Sequence, residues 1–374
     1  MKALRQRVSG LVILPLAFAL VARSQPAQAD FEQLSRRASE ALDTKPEEAA
    51  KLYREALSLR PDWAEGWFYL GTSFFQLHDY RAAVEALRKA SGLAPKKGTP
   101  LAFLGMAEYE LGNYKQALPD ILKSEATGLA DDPAFVAAVH YRAALVCLRF
   151  SDFVQALEQL RPLVKAGNRS DLVVEALGLC VLNISSTPEQ LAPPRRPFID
   201  AAGKAAWAFV AERPDESGPL FEALVAQFPS EPGVHYMNGV FLIDHDPDAA
   251  EKEFRTELRI APANVQARVQ IALLLIKRGE TEAAIKMAGE AAQLQPTNAL
   301  CHATAGRALL SAGRIKEAIT ALERAKKLAP DASLTHFYLA QAYRRAGRPA
   351  DAQKEKAEWE RTRSRQEPEV VPTP

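Results

Sequence analysis

Net charge is almost absent from this chain. Forty-seven basic residues face 46 acidic ones across 374 residues. Such a balance leaves no electrostatic footprint for nucleic acid and no polybasic cluster for anionic lipid. Cysteine is scarce too. Cys147, Cys180 and Cys301 are an odd set that cannot all pair internally, and each lies in an apolar helical run, which predicts buried thiols. β-Branched residues are sparse outside short runs while alanine and leucine dominate, so helix is favoured over strand. Catalytic signatures are missing: there is no glycine-rich phosphate loop, no HExxH, no CxxC and no nucleophile-elbow serine. The chain therefore reads as a non-enzyme without cofactor or metal.

What is present is enough apolar material for a large core: 48% of residues are hydrophobic and 25% charged. The N-terminus has a separate character. Lys2, Arg5 and Arg7 precede the uncharged, mostly apolar run Leu11 to Ala22, and Ala27-Gln28-Ala29 offers a small-x-small cleavage site before Asp30. That layout predicts a signal peptide over 1–29 and a protein that is exported, periplasmic or secreted. Twelve helical residues rise only about 18 Å, short of the roughly 30 Å hydrocarbon core. No later stretch is apolar enough to span, so the mature chain is expected to have no membrane span. Cleavage removes the bases Lys2, Arg5, Arg7 and Arg23 from the 47, leaving 43 against 46 acids, a net charge of −3.

The strongest signal is self-similarity at 34 residues. One stretch reads Trp67-x2-Leu70-Gly71-x2-Phe74-x8-Ala83-x3-Leu87-x2-Ala90-x4-Pro95. The first alanine recurs as Ala49, Ala83, Ala117 and Ala156, then Ala250, Ala284, Ala318 and Ala352. A small residue recurs as Gly71, Gly105, Ala144, Gly178, Gly239, Ala272, Gly306 and Ala340. A closing proline recurs as Pro61, Pro95, Pro229, Pro262, Pro296 and Pro330. Spacings of three and four put each set on one helix face. Small residues let two backbones approach, and large ones fill the space around them. The glycines of Gly112-Asn113, Gly279-Glu280, Gly313-Arg314 and Gly347-Arg348 suit a left-handed helix end. Thr297, Asn298 and Asp331 are candidate caps of new helices.

This pattern resembles the tetratricopeptide repeat (TPR). The resemblance implies an all-α, TPR-type superhelical solenoid of about 8–10 helix pairs, irregular in the middle. The expected divisions are an N-terminal array over 30–167, an irregular helical middle over 168–231, a C-terminal array with a polar capping helix over 232–364, and a disordered tail over 365–374. The first repeat, Asp30 to Arg60, is expected to have a shortened first helix. Thr127 to Pro133 adds about five residues. Four prolines between Ser185 and Pro197 predict that the second helix after Gly178 is missing or short.

His140, His235, His302 and His336 share the repeat column that holds Trp67. One column in successive repeats stacks roughly 10 Å apart, too far to share a zinc bound at about 2 Å. Packing residues are expected there. The turn Asp244-His245-Asp246 with Asp248 lacks EF-hand spacing. Asn168-Arg169-Ser170 and Asn183-Ile184-Ser185 match the glycosylation acceptor pattern.

The resemblance also implies a concave groove lined by the first helix of each repeat. The groove positions carried over are Phe68, Thr72, Phe75, Met106, Tyr109, Tyr141, Tyr236, Arg307, Phe337, Gln341 and Arg344. The N-terminal part is aromatic and apolar, and the C-terminal part gains arginines. The lysine–asparagine–arginine clamp of some TPR modules is absent. The function expected is a non-catalytic scaffold outside the cytoplasm that binds a protein or peptide segment, in envelope assembly or secretion. The alternatives are an accessory or carbohydrate-binding module for cell-wall processing, with an acid–aromatic cluster around Trp207, Glu212 and Arg213, and a structural spacer without a groove ligand. Homo-oligomerisation has no support in the sequence.

Overall fold

The computed structural model describes residues 16–366, with side chains from Gln28 to Ser364. Residues 1–15 of the expected leader and 367–374 of the expected tail lie outside the described residues. Among the described residues there are nineteen α-helices, two short 3-10 turns and no strand. They fall into two compact units.

Unit 1 holds residues up to 168 together with 185–187. Its helices are α1 (Leu16–Ala41), α2 (Pro46–Leu59), α3 (Ala64–Gln76), α4 (Tyr80–Leu93), α5 (Gly98–Glu110), α6 (Tyr114–Thr127), α7 (Pro133–Arg149) and α8 (Phe153–Lys165). Each odd-numbered helix packs on the next one, and α3, α5 and α7 also touch each other in one layer. The first helix is not shortened. It runs unbroken through the expected cleavage bond Ala29–Asp30, and the Arg60 guanidinium both donates to Gln28 Oε1 at 2.6 Å and covers the Phe31 ring at 4.0 Å.

Unit 2 holds residues 169–184 and those from 188 on. Its helices are α9 (Asp171–Val181), α10 (Arg196–Val210), α11 (Pro214–Gln227), α12 (Val234–Leu242), α13 (Pro247–Ile260), α14 (Val265–Arg278), α15 (Thr281–Leu294), α16 (Ala299–Ser311), α17 (Ile315–Leu328), α18 (Ser333–Arg345) and α19 (Pro349–Gln366). From α12 on the helices pair as in unit 1, with α14, α16 and α18 in contact as one layer. No described helix is long and apolar enough to cross a membrane.

The repeat columns have the packing their chemistry dictates. Ala49, Ala83, Ala117, Ala156, Ala250, Ala284 and Ala318 have no solvent exposure, whereas Ala352 is half-buried. Leu87, Ile121, Phe254 and Leu322 fill the space over the small residues of the facing helix. Each fully buried side chain of this size contributes roughly 1.5–3 kcal/mol. The turns closing α3, α5, α7, α10, α14, α16 and α18 are equally regular. Gly112, Gly279, Gly313 and Gly347 have positive φ, and so do His78, Ser151 and Glu212 in the matching turns. In each turn two successive amides bond back to the helix end, as Gly313 does to Leu310 and Arg314 to Leu309. This arrangement satisfies carbonyls that the helix leaves without partners. Of the candidate caps, Asn298 acts as one, accepting from the Leu300 amide at 3.0 Å. Ala332, not Asp331, holds that position before α18.

Between α9 and α10 the proline-rich break holds no α-helix, only two 3-10 turns at Pro188–Gln190 and Pro193–Arg195, and α10 packs on α9 in the second helix's place. Arg196 closes this connector by donating to the Pro188 carbonyl at 2.8 Å and pairing with the buried Glu175 carboxylate. Helices α9 and α10 meet backbone to backbone: a Cβ on Gly178 would overlap the Ile199 carbonyl oxygen, and one on Gly203 the Val174 carbonyl. Because α10 also turns through Glu212 into α11, it serves both neighbours, and three helices, α9 to α11, stand over this stretch.

Candidate functional site

The histidine column is built as a set of clips. Trp67 Nε1 donates to the Pro61 carbonyl at 2.8 Å. His235, His302 and His336 place Nε2 at 3.0, 2.9 and 2.7 Å from the carbonyls of Pro229, Pro296 and Pro330. A carbonyl only accepts, so each Nε2 carries the proton. The other ring nitrogen of His336 meets Glu355 at 2.7 Å and that of His235 meets Glu253 at 2.5 Å. The sequence marked this column as bulky; the six-residue spacing from the closing proline was its unread signal. Among the described residues no group of three or more His, Cys, Asp or Glu side chains is arranged to hold a metal. Asp246 caps α13 through the Ala249 amide, and Asp248 pairs with Arg278. The three cysteines are buried, with burial pushing the Cys147 thiol up to about 12.

In unit 1 the expected aromatic positions gather around a residue outside the expected set. Phe103 on α5 meets Phe68 at 5.6 Å and Phe75 at 5.7 Å, both edge-on from α3, and stacks on Phe135 of α7 at 4.8 Å. These four half-buried rings form one strip across three first helices. Met106 and Thr72 lie beneath it. Met106 is buried with Ala102, Ile121, Val139 and Ala143, and Thr72 donates to the Tyr69 carbonyl at 3.0 Å. The cause is the insertion before Pro133. It starts α7 a turn early and brings Phe135 over positions that a regular repeat leaves open. Tyr109 is half-buried against Tyr114 at 5.4 Å, and Tyr141 is half-buried on α7. Burial, then the nearby Glu65, raises the Tyr69 phenol.

In unit 2, Tyr236 packs on Phe254 at 5.7 Å, and burial raises its phenol. Arg307 lies over the Tyr338 ring at 5.4 Å, and Phe337 contacts both Tyr338 and Trp359 at 5.3 Å. Gln341 is half-buried and Arg344 exposed. Leu300 and Leu334, absent from the expected set, stand exposed two residues before His302 and His336.

Two clusters bear on chemistry. Burial raises both Glu108 and Asp120, and the two carboxyls reinforce each other at Glu108. Glu108 is closed off at 2% exposure and bonded by Arg88 at 3.1 Å, which makes the pair a joint between α4, α5 and α6. Trp207 is buried, with Arg169 and Arg213 over its ring at 4.8 and 5.0 Å, so it offers no open aromatic face to a sugar.

Family models of the tetratricopeptide repeat match residues 43–98, 70–133 and 275–335. These stretches are tetratricopeptide repeats. TPRs are interaction modules and generally non-catalytic, which supports a protein-interaction scaffold. No curated protein matches the chain. Among solved structures, MamA 41-end from Desulfovibrio magneticus RS-1 is 16% identical, covers 47% of this chain and 99% of its own, and has a TM-score of 0.41. MamA AMB-1 is 22% identical over 43% of this chain and 96% of its own, with a TM-score of 0.38. At that level the likeness carries no argument about function.

Proposed function

We propose that this protein is a non-catalytic scaffold acting outside the cytoplasm, whose first-helix face in unit 1 holds an apolar segment of a partner protein. The observation that carries the reading is the half-exposed strip Phe68, Phe103, Phe75 and Phe135. Four aromatic rings in mutual contact over three helices form a rigid apolar platform, the surface type that accepts an apolar helix or extended segment. The location outside the cytoplasm rests on the basic start, apolar run and Ala27-Gln28-Ala29 site of the N-terminus.

Partner capture from the exporting compartment tests the platform. A partner held by the parent and lost by Phe68→Ala with Phe103→Ala, at unchanged helicity by circular dichroism, supports it. Equal capture by both proteins overturns it. N-terminal sequencing of the exported protein tests the location: Asp30 is the expected first residue, and an unprocessed chain retained in the cytoplasm refutes export.

A further inference from the structure

The near-neutral total of the chain hides a local excess of base. Residues 232–366 carry 21 bases against 16 acids. The excess has an order set by the repeat. The column alanines Ala250, Ala284 and Ala318 are buried. A step of two or nine residues turns about half a revolution round an α-helix, so those positions lie on the side away from the alanines. After Ala250, Ala284, Ala318 and Ala352 they hold Lys252, Lys286, Thr320 and Lys354, then Arg259, Gln293, Lys327 and Arg361. All eight are exposed, six are bases and none is an acid. The same positions in α2, α4, α6 and α8 hold Lys51, Glu85, Pro119 and Glu158, then Ser58, Gly92, Ala126 and Lys165. There the bases and acids cancel.

Of the six bases only Arg361 has an ion pair among the described residues, with Asp331 and Glu358. The exposed Lys316 and Arg324 extend the set on α17, also without an ion pair there. The acids of these second helices are turned to other groups. Asp248 and Glu251 hold Arg278, Glu290 holds Arg268, Glu317 holds Arg314, and Glu355 holds His336. Glu282 is the one acid of α13, α15, α17 and α19 that holds neither a cation nor an amide among the described residues. Unpaired cations stand on the first helices too. What sets the outer stripe apart is that no acid interrupts it.

Seven residues rise about 10 Å along a helix, and a helix is about as wide. The bases therefore form a lattice in two directions, spaced at about the Debye length of 8–10 Å at physiological salt. Along the chain they are seven or 34 residues apart, so no polybasic run betrays them.

We infer that the outer face of α13, α15, α17 and α19 rests on an anionic membrane surface. Charge alone draws such a lattice to acidic headgroups, which are themselves arrayed in two dimensions. The stripe has no aromatic or aliphatic side chain, the kind that anchors a protein partner or stacks on single-stranded nucleic acid. Four of its five unpaired bases are lysines, compact charges that stay hydrated, where phosphate recognition in nucleic acid favours the arginine fork. Attachment by this side leaves the first-helix layer clear, so the inference stands independently of the aromatic platform.

The test is co-sedimentation of the full-length protein with phosphatidylcholine vesicles and with vesicles of equal parts phosphatidylcholine and phosphatidylglycerol. The parent is expected to prefer the anionic vesicles, less so as salt rises. Lys252→Glu, Lys286→Glu, Lys327→Glu and Lys354→Glu together are expected to lower that preference at least about tenfold at unchanged helicity. The control reverses four exposed lysines on second helices of unit 1, Lys51→Glu, Lys115→Glu, Lys123→Glu and Lys165→Glu. It changes net charge equally and is expected to lose much less. Both variants keep the bases of the N-terminal leader, so these cancel in the comparison. Amine acetylation of the vesicle-bound parent is expected to spare Lys252, Lys286, Lys327 and Lys354 and to reach Lys51 and Lys165. Equal losses in the two variants, uniform acetylation, or no anionic preference overturns the inference. Binding to soluble polyglutamate or duplex DNA without binding to the anionic vesicles also overturns it, and assigns the face to an acidic protein or to nucleic acid. Capture by the Phe68→Ala, Phe103→Ala variant is unaffected by any of these outcomes.

Discussion

His140 Nδ1 lies 2.8 Å from Gln159 Oε1 and 3.3 Å from Glu125 Oε1, and Gln159 donates its Nε2 to Glu125 Oε2 at 3.2 Å. The hydrogen bond to Glu125 raises the His140 pKa, against burial, with Gln159 assisting. The charged ring is favoured in the fold. Its contribution to stability is therefore complete below the ordinary imidazole value of about 6.5 and is lost as pH climbs through the raised folded value. Urea midpoints measured at pH 6 and pH 8 should fall with pH in the parent, and more steeply than in Glu125→Gln. Identical slopes would remove Glu125 as the cause. The sequence placed His140 in a bulky column but said nothing of this partnership. Glu125 and Gln159 come from α6 and α8, and no local spacing links three helices.

Among elements, the contact of α9 with α10 differs from that of α3 with α4. At Gly71 an added Cβ meets the Leu87 side chain, with Cγ at 2.5 Å, and that side chain has rotamers to move through. The same column tolerates Ala144, Ala272 and Ala340. At Gly178 the obstacle is the Ile199 backbone, which has nowhere to go without parting the helices. Gly178→Ala should cost about 3 kcal/mol, the upper end for overpacking, and Gly71→Ala less than half of that, by urea unfolding followed by fluorescence. A Gly71→Ala cost equal to that of Gly178→Ala would sink this distinction. The small-residue column was legible in sequence because it repeats. The pairing of α10 with α9 was not, because prolines state where an α-helix cannot run and leave open which helix packs on the one before them. Likewise Phe68 and Phe75 were legible through the resemblance to the repeat. Phe103 stands in the column of Tyr69, outside the columns carried over, and Phe135 was not legible because carrying columns assumes equal repeat lengths, which the early start of α7 breaks.

For the molecule as a chain of stacked pairs, the last helix is a cover. Trp359 shields Phe337, and the buried Glu355 bonds both His336 and Lys326, the latter at 2.9 Å. Ending the chain at Arg348 exposes the first contact, leaves the buried His336 without its carboxylate and leaves the half-buried Lys326 with Glu323 alone. A group so orphaned costs about 1–3 kcal/mol, more when charged. Amide exchange across α17 and α18 should then accelerate by at least about tenfold, the factor that 1.4 kcal/mol of local stability represents. Unchanged protection there would mean that α19 caps nothing.

The clip from the closing proline to the ring six residues later has a consequence for how such a chain can grow. Donor and acceptor travel together in one short stretch, as do the amides and carbonyls of each left-handed turn. Duplicating or deleting one 34-residue segment therefore leaves the clip and the turn whole on either side of the seam. Length becomes adjustable in whole units, and only the cover at the end has to stay where it is.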